Sequence, residues 1–365
     1  MRNGIRTAAV AAGMLLLATA GLATPEYAQR YNQTCGLCHH NPTGGGMRTL
    51  YGAQFFSYTD LPVKPMTFEE VEKVQPKLSE NVQVGADFRG IYWNRNDFDG
   101  SDDDAGDSND FQFMQADLYV AYMVSDKSLL YLNVSDNGTR EAFAQFRALP
   151  FDGTIRAGRF TPAFGWKFPD HTIFTRRFTG YGFLEGASAA SYDTGVEAGI
   201  YPQGWDATVG VFNGGRDAGK TVVARLAKRL EFNPFKMTLG GSYRYEDWGG
   251  GGDFFPTSYG GFYGLQWGRL AFLGEVDAIE ETADVMGLVS TQQLRYMLQR
   301  GIYLNSWYEY FDPDMDTASG WFWRARLGVE YIPRGYMAIS PSFEWNRDDT
   351  GAEYGLGVLQ LHLWF

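Results

Sequence analysis

The chain has 365 residues and carries a formal charge of −12 at pH 7, with 31 Lys and Arg against 43 Asp and Glu. That acid surplus excludes a partner held by a basic surface, nucleic acid above all. Hydrolytic and nucleotide chemistry find no support either: there is no nucleophile elbow, no Walker loop and no H-E-x-x-H.

Residues 1–23 read MRNGIRTAAVAAGMLLLATAGLA. Arg2 and Arg6 form a positive start, residues 7–20 an apolar run, and Gly21-Leu22-Ala23 a small-residue cleavage site. This predicts a secretory signal peptide, since the apolar run is too short for a retained anchor. Its removal takes away two arginines and moves the charge from −12 to −14.

Residues 24–79 are expected to form a small module. Both cysteines of the chain fall in Cys35-Gly36-Leu37-Cys38-His39, the C-x-x-C-H pattern of c-type haem attachment. Two thiols three residues apart on one helical turn reach both vinyl groups of one porphyrin, and the following imidazole meets the iron. A thioredoxin-like motif would need a strand–helix context that is missing. A disulfide is chemically open to an exported chain. Zinc needs two further ligands, and only His40 lies near. One covalent c-type haem is therefore expected on Cys35 and Cys38, with His39 as axial ligand. For the opposite face of the iron, His171 in Phe168-Pro169-Asp170-His171 is preferred to Met47, with Met66 behind them. His40 points away, and His362 belongs to a strand wall. Short helices are predicted at 25–31, with Thr24 as cap, and at 68–74, ended by Pro76. Met47 to Phe56 is apolar enough to cover a porphyrin face, and fewer than sixty residues build only a small core unaided.

From residue 80 to 365 the texture is glycine-rich, aromatic and period-two. Trp321, Trp323, Ala325, Leu327, Val329 and Tyr331 share one face, opposite Arg324, Arg326 and Glu330. Met237, Leu239, Tyr243 and Tyr245 alternate with Thr238, Ser242, Arg244 and Glu246. Leu118, Val120 and Tyr122 oppose Asp117 and Tyr119. An all-β transmembrane barrel of about 16 antiparallel strands is expected, with the haem module plugging its lumen. A soluble sandwich would bury the apolar face instead. The last stretch, Leu359 to Phe365, alternates and stops on Phe, like the final strand of bacterial outer-membrane proteins. Short connections fall on one side, while the longest, 94–110 and 161–190, fall on the other. Acid collects there too, in Asn94–Asp110 and at Asp312, Asp314, Asp316, Asp348 and Asp349. A solvated acidic rim is favoured over a defined cation site.

These residues together resemble the fused outer-membrane monohaem cytochrome–porins. The likeness rests on the C-x-x-C-H motif, Pro42, and Tyr51-Gly52-x-x-Phe55, and its motifs cover residues 25–56. Here Gly44-Gly45-Gly46 is inserted, and Tyr58-Thr59-Asp60-Leu61-Pro62 replaces a closing Gly-Tyr. Separately, Arg156 to Gly165 is similar to the Gly-Arg-Phe-x-Pro-x-Phe-Gly segment of phosphate-selective O/P-type porins. The resemblance implies an electron-transfer oxidoreductase in the bacterial outer membrane, with lipid around it. It would take electrons from extracellular Fe(II) and pass them to a soluble periplasmic cytochrome. The alternative is a diffusion porin with an accessory haem module, its anion path lined by Arg147, Arg159, Arg225, Arg324 and Arg326. Asp117, Glu275, Asp277 and Glu330 on the same face speak against it. A third reading is a sheath for a separate multihaem cytochrome.

Overall fold

The structure is a computed structural model that describes residues 25–97, 108–135, 138–168, 170, 172–179, 192–214, 219–247, 257–282 and 284–365. The expected signal peptide and His171 lie outside the described residues.

Sixteen strands close into one antiparallel barrel, each paired with its neighbour in sequence and the last with the first. They are β1 Val82–Asp97, β2 Ser108–Ser125, β3 Ser128–Ser135, β4 Gly138–Leu149, β5 Gly153–Phe160 and β6 Asp193–Ile200. Next come β7 Trp205–Phe212, β8 Thr221–Phe232, β9 Phe235–Glu246, β10 Thr257–Trp267 and β11 Leu270–Thr282. The last are β12 Val285–Gln299, β13 Ile302–Asp312, β14 Phe322–Arg334, β15 Met337–Asp348 and β16 Glu353–Trp364. Each predicted strand has its counterpart. The first two run longer than expected, so the connection read as 94–110 is confined to 98–107, outside the described residues.

Period-two chemistry explains the closure. In β2, Leu118 is 65 % exposed on the outer wall, while Asp117 and Ala121 are buried inside. In β9 and β14 the buried side chains are Thr238, Ser242, Arg244, Glu246, Arg324, Arg326 and Glu330, and Leu239, Tyr243 and Tyr331 face out. A wall that exposes its apolar residues and encloses its charges is built for lipid outside and a polar lumen within; the sandwich alternative would require the reverse. At the closing seam Arg89 stands opposite His362. Asp87 bridges them, 3.0 Å from His362 Nε2 and 3.3 Å from Arg89 Nε.

Two segments occupy the lumen. The first is residues 25–79, only partly helical: α1 Glu26–Tyr31, a 3₁₀ turn at Cys35–Leu37, a π-helix at Tyr51–Asp60 and α2 Phe68–Val71. Pro25 stands at the N-cap of α1. The second predicted helix stops at Val71 rather than running to 74; the capping box of Thr67 and Glu70 fixes its start. The segment is pinned to the wall near the short turns. Gln29 Nε2 donates to Lys236 O at 2.7 Å, Lys236 Nζ to Arg30 O at 2.8 Å, and Val63 N to Ile332 O at 2.9 Å.

The second is the connection after β5, carrying α3 Phe174–Phe178. Trp166 and Phe168 turn inward onto Phe262 and Trp307, with ring centroids 5.1 and 5.2 Å apart. Further along, Phe178 stacks on Phe311 at 4.1 Å. Backbone amides of the connection are held by wall acids: Trp166 N donates to Glu275 at 2.6 Å and Phe174 N to Glu309 at 2.7 Å.

One sequence assignment of an inner-face arginine is corrected. Arg159 is exposed, and Phe160 and Arg156 are the inward residues of β5. Arg147 is exposed beside a register shift between Phe146 and Leu149, and its charge acts on His40 of the inner segment. Arg324 and Arg326 do face inward, but each is paired with acid. Arg326 lies 2.7 Å from both Asp170 and Glu344, and Arg324 is bonded to Glu309.

Candidate functional site

The two inner segments leave a cavity between them with about 1710 Å³ of atom-free space, part of it open to solvent. Cys35, Cys38, His39 and Met47 all line it, so four of the five residues singled out from sequence meet at one place. The fifth, His171, lies outside the described residues.

The local backbone arranges the motif. The 3₁₀ turn starts at Cys35, whose carbonyl accepts from Cys38 N at 3.1 Å and from His39 N at 3.0 Å. This winds both thiols and the imidazole around one turn. Gly44, Gly45 and Gly46 follow with φ of 92, 77 and 63°, a run of left-handed backbone that side chains resist. It folds the chain back so that Gly46 O lies 3.3 Å from His39 Nδ1. A ring nitrogen held by a backbone carbonyl fixes the tautomer and leaves Nε2 for another partner, the usual support for a metal-binding histidine. Burial pulls His39 down to about 3, aided by the Arg48 cation, so its imidazole is neutral at working pH.

The cysteines are unpaired thiols. Burial raises both, Cys38 to about 11. Among the described residues no three His, Cys, Asp or Glu side chains cluster as metal ligands.

Of the other expected ligands that are described, only Met47 reaches the cavity lining. Met47 is buried against Tyr119, Tyr131 and Phe143, and its amide donates to Tyr131 Oη at 3.0 Å. Met66 does not reach the cavity lining. His40 turns to the wall, with Nε2 2.9 Å from Gln83 Oε1. His362 is bound to Asp87 as described. The acidic rim residues cap turns: Asp312 accepts from Asp314 N at 3.2 Å, Asp348 from Thr350 N at 3.0 Å and Asp349 from Gly320 N at 2.8 Å.

Sequence reasoning missed the arginines that clamp the inner segment. Arg156 Nη1 donates to Asn41 at 2.7 Å and also bonds Glu197; Arg295 pairs with both Glu26 and Glu330 and takes Tyr27 Oη at 3.0 Å. The signal for them was inward parity on a strand, visible only once the register is known.

The fold is that of outer-membrane porins. OprB of Pseudomonas putida superposes with a TM-score of 0.62 at 9% identity, covering 85% of this chain and 100% of its own. An anion-selective porin from Comamonas acidovorans gives 0.55 at 12%, covering 78% and 99%. OmpT of Vibrio cholerae gives 0.54 at 13%, covering 79% and 99%. No family model and no curated protein matches the sequence.

Proposed function

We propose that this chain is a haem-bearing, plugged outer-membrane barrel that carries electrons between an extracellular donor, Fe(II) as the first candidate, and a soluble periplasmic cytochrome. The observation that carries this reading is the convergence of Cys35, Cys38 and His39 on one cavity inside the barrel, with His39 Nδ1 held by Gly46 O and Nε2 left for a metal. The cavity suits a porphyrin: Tyr27, Tyr31, Phe56, Phe168 and Trp364 give it aromatic walls. Cys35 and Cys38 would hold the group covalently and His39 would bind its iron; when bound, it supplies a one-electron centre inside the membrane span. The protein's own contribution is insulation. A bilayer core is roughly 30 Å of hydrocarbon, and the wall keeps the site apart from lipid while the inner segments crowd water out of the lumen. His171 remains our first choice for the opposite face of the iron, ahead of Met47, whose thioether would raise the potential relative to a second histidine.

The porin-like fold by itself favours a second reading, a diffusion porin with an accessory module. The anion selectivity of the Comamonas neighbour gives that reading its solute class. Against a free arginine ladder stand the pairings of Arg324 and Arg326 with Glu309, Glu344 and Asp170.

The expected result is covalent haem stain on a denaturing gel for the wild type and none for Cys35→Ala or Cys38→Ala, with barrels still inserted. In liposomes enclosing a periplasmic-type cytochrome, external Fe²⁺ should reduce the interior pool. Absence of stain in the wild type sinks the haem reading. Stain without reduction at any pH removes Fe(II) as donor and leaves the haem.

A further inference from the structure

We propose that Arg48 and Lys167 are the anchors for the two carboxylate groups of a porphyrin held in the Cys35–His39 cavity, an assignment that rests on the haem reading above. The case starts from charge. Six cationic side chains and three carboxylates line the cavity. Four of the six cations are engaged. Arg89 lies 3.3 Å from Asp87 and Arg140 3.4 Å from Asp117. Arg176 donates to Phe168 O, and Arg225 Nε donates to Gly165 O at 3.0 Å.

Arg48 and Lys167 remain. Among the described residues neither forms an ion pair or side-chain hydrogen bond. Arg48 lies over the face of Trp364, with its guanidinium carbon 5.0 Å from the ring centroid, and feels the charge of Asp87 without bonding to it. The Lys167 side chain lies against the glycine run, where a Cβ on Gly45 would stand 3.3 Å from its Cε. The third lining carboxylate, Glu141, accepts from Thr161 N at 3.4 Å and acts on Lys167 through its charge without an ion-pair contact.

Position completes the argument. Arg48 belongs to the N-terminal segment and Lys167 to the connection after β5, so the two approach from different elements. Arg48 pairs with His39 in an isolated backbone bridge, and the Lys167 side chain lies against Gly45, next to the Gly46 whose carbonyl holds His39, which puts both near the expected iron ligand. Two unengaged cations beside a histidine match a planar ligand with two acids on its rim. A diffusing dicarboxylate has the same chemistry, so the test separates the two sources.

The test uses the full chain with haem attached. Lys167→Met and Arg48→Met are made singly and together, with Lys167→Arg and Arg48→Lys as charge-preserving controls. Folding is checked by heat-modifiable migration, and the midpoint potential is measured by redox titration. Each charge-removing variant should keep its covalent haem and shift to lower potential, because the ferric state gains most from losing a nearby cation; the double variant should shift further and the controls little. Unchanged potentials in folded, haem-replete variants overturn the assignment while the haem reading stands. Channel block by free succinate that needs both residues, with potentials unchanged, gives them to a diffusing solute and also overturns it. A wild type without covalent haem overturns both.

Discussion

One buried contact between the N-terminal segment and the wall involves Glu26, 0 % exposed, which pairs with Arg295 and lies 3.0 Å from Arg30. Arg295 in turn holds Glu330 and Tyr27. Buried ion pairs add little over a well-packed apolar substitute, but removing one partner strands the other. Glu26→Ala should therefore weaken docking of α1 by on the order of 3 kcal/mol, while Arg295 keeps Glu330. Protease added on the short-turn side of intact proteoliposomes should then cut within residues 25–60, a stretch resistant in the wild type. Equal resistance in both would mean that other contacts, such as Arg156 with Asn41, dominate.

At the scale of elements, the π-helix at Tyr51–Asp60 presses on the cysteine motif through Gly52. A Cβ there would stand 2.3 Å from Cys38 O, inside any tolerated contact with backbone. Gly52→Ala should displace the turn carrying Cys38 and His39 and cut haem attachment several-fold, with the barrel intact; full stain would show that the π-helix can retreat. In sequence Gly52 was visible only as part of an aromatic-Gly-x-x-Phe element, with no reason for the glycine. The contrast runs through the whole molecule. Strands were legible because alternation is local: Leu118 and Val120 against Asp117 and Tyr119 declare a wall without any partner. Charge pairing was not legible, because Arg156 meets Glu197 and Asn41 only through register and docking. Alternation also misleads when its phase is taken wrongly: Arg159 faces out, because Phe160 and Arg156 hold the inner side. The C-x-x-C-H stretch stood out because its residues are contiguous; the cations lining the same cavity did not, because Lys167 arrives from a connection more than a hundred residues away.

For the whole molecule, the lumen is stopped twice. One stopper is the segment tethered before β1; the other is the connection after β5, packed by Trp166, Phe168, Phe174 and Phe178 against Phe262, Trp307 and Phe311. Stoppers in series act like resistors in series, so removing one leaves the other limiting. In planar bilayers the wild type should show little steady current. Deleting residues 25–79 should raise it modestly. Only a variant that also replaces Trp166 and Phe168 with Ala should conduct like an open porin. A large current from the intact, haem-replete chain would instead establish the diffusion reading.

The closing seam also dictates a chronology. Asp87 and Arg89 from β1 and Trp364 from β16 all border the cavity, and β1 and β16 are the pair that completes the ring. The chamber therefore has no finished wall until the last strand is zipped to the first, and zipping narrows access to what it holds. On the haem reading proposed above, the thiols would meet the vinyl groups on the still-open chain, and attachment would precede insertion. A barrel folded without haem should stay unmodified when haem, reductant and attachment machinery are supplied afterwards. The same chain offered them while unfolded should take up the stain, which makes the barrel a one-way container whose cargo is loaded before the lid exists.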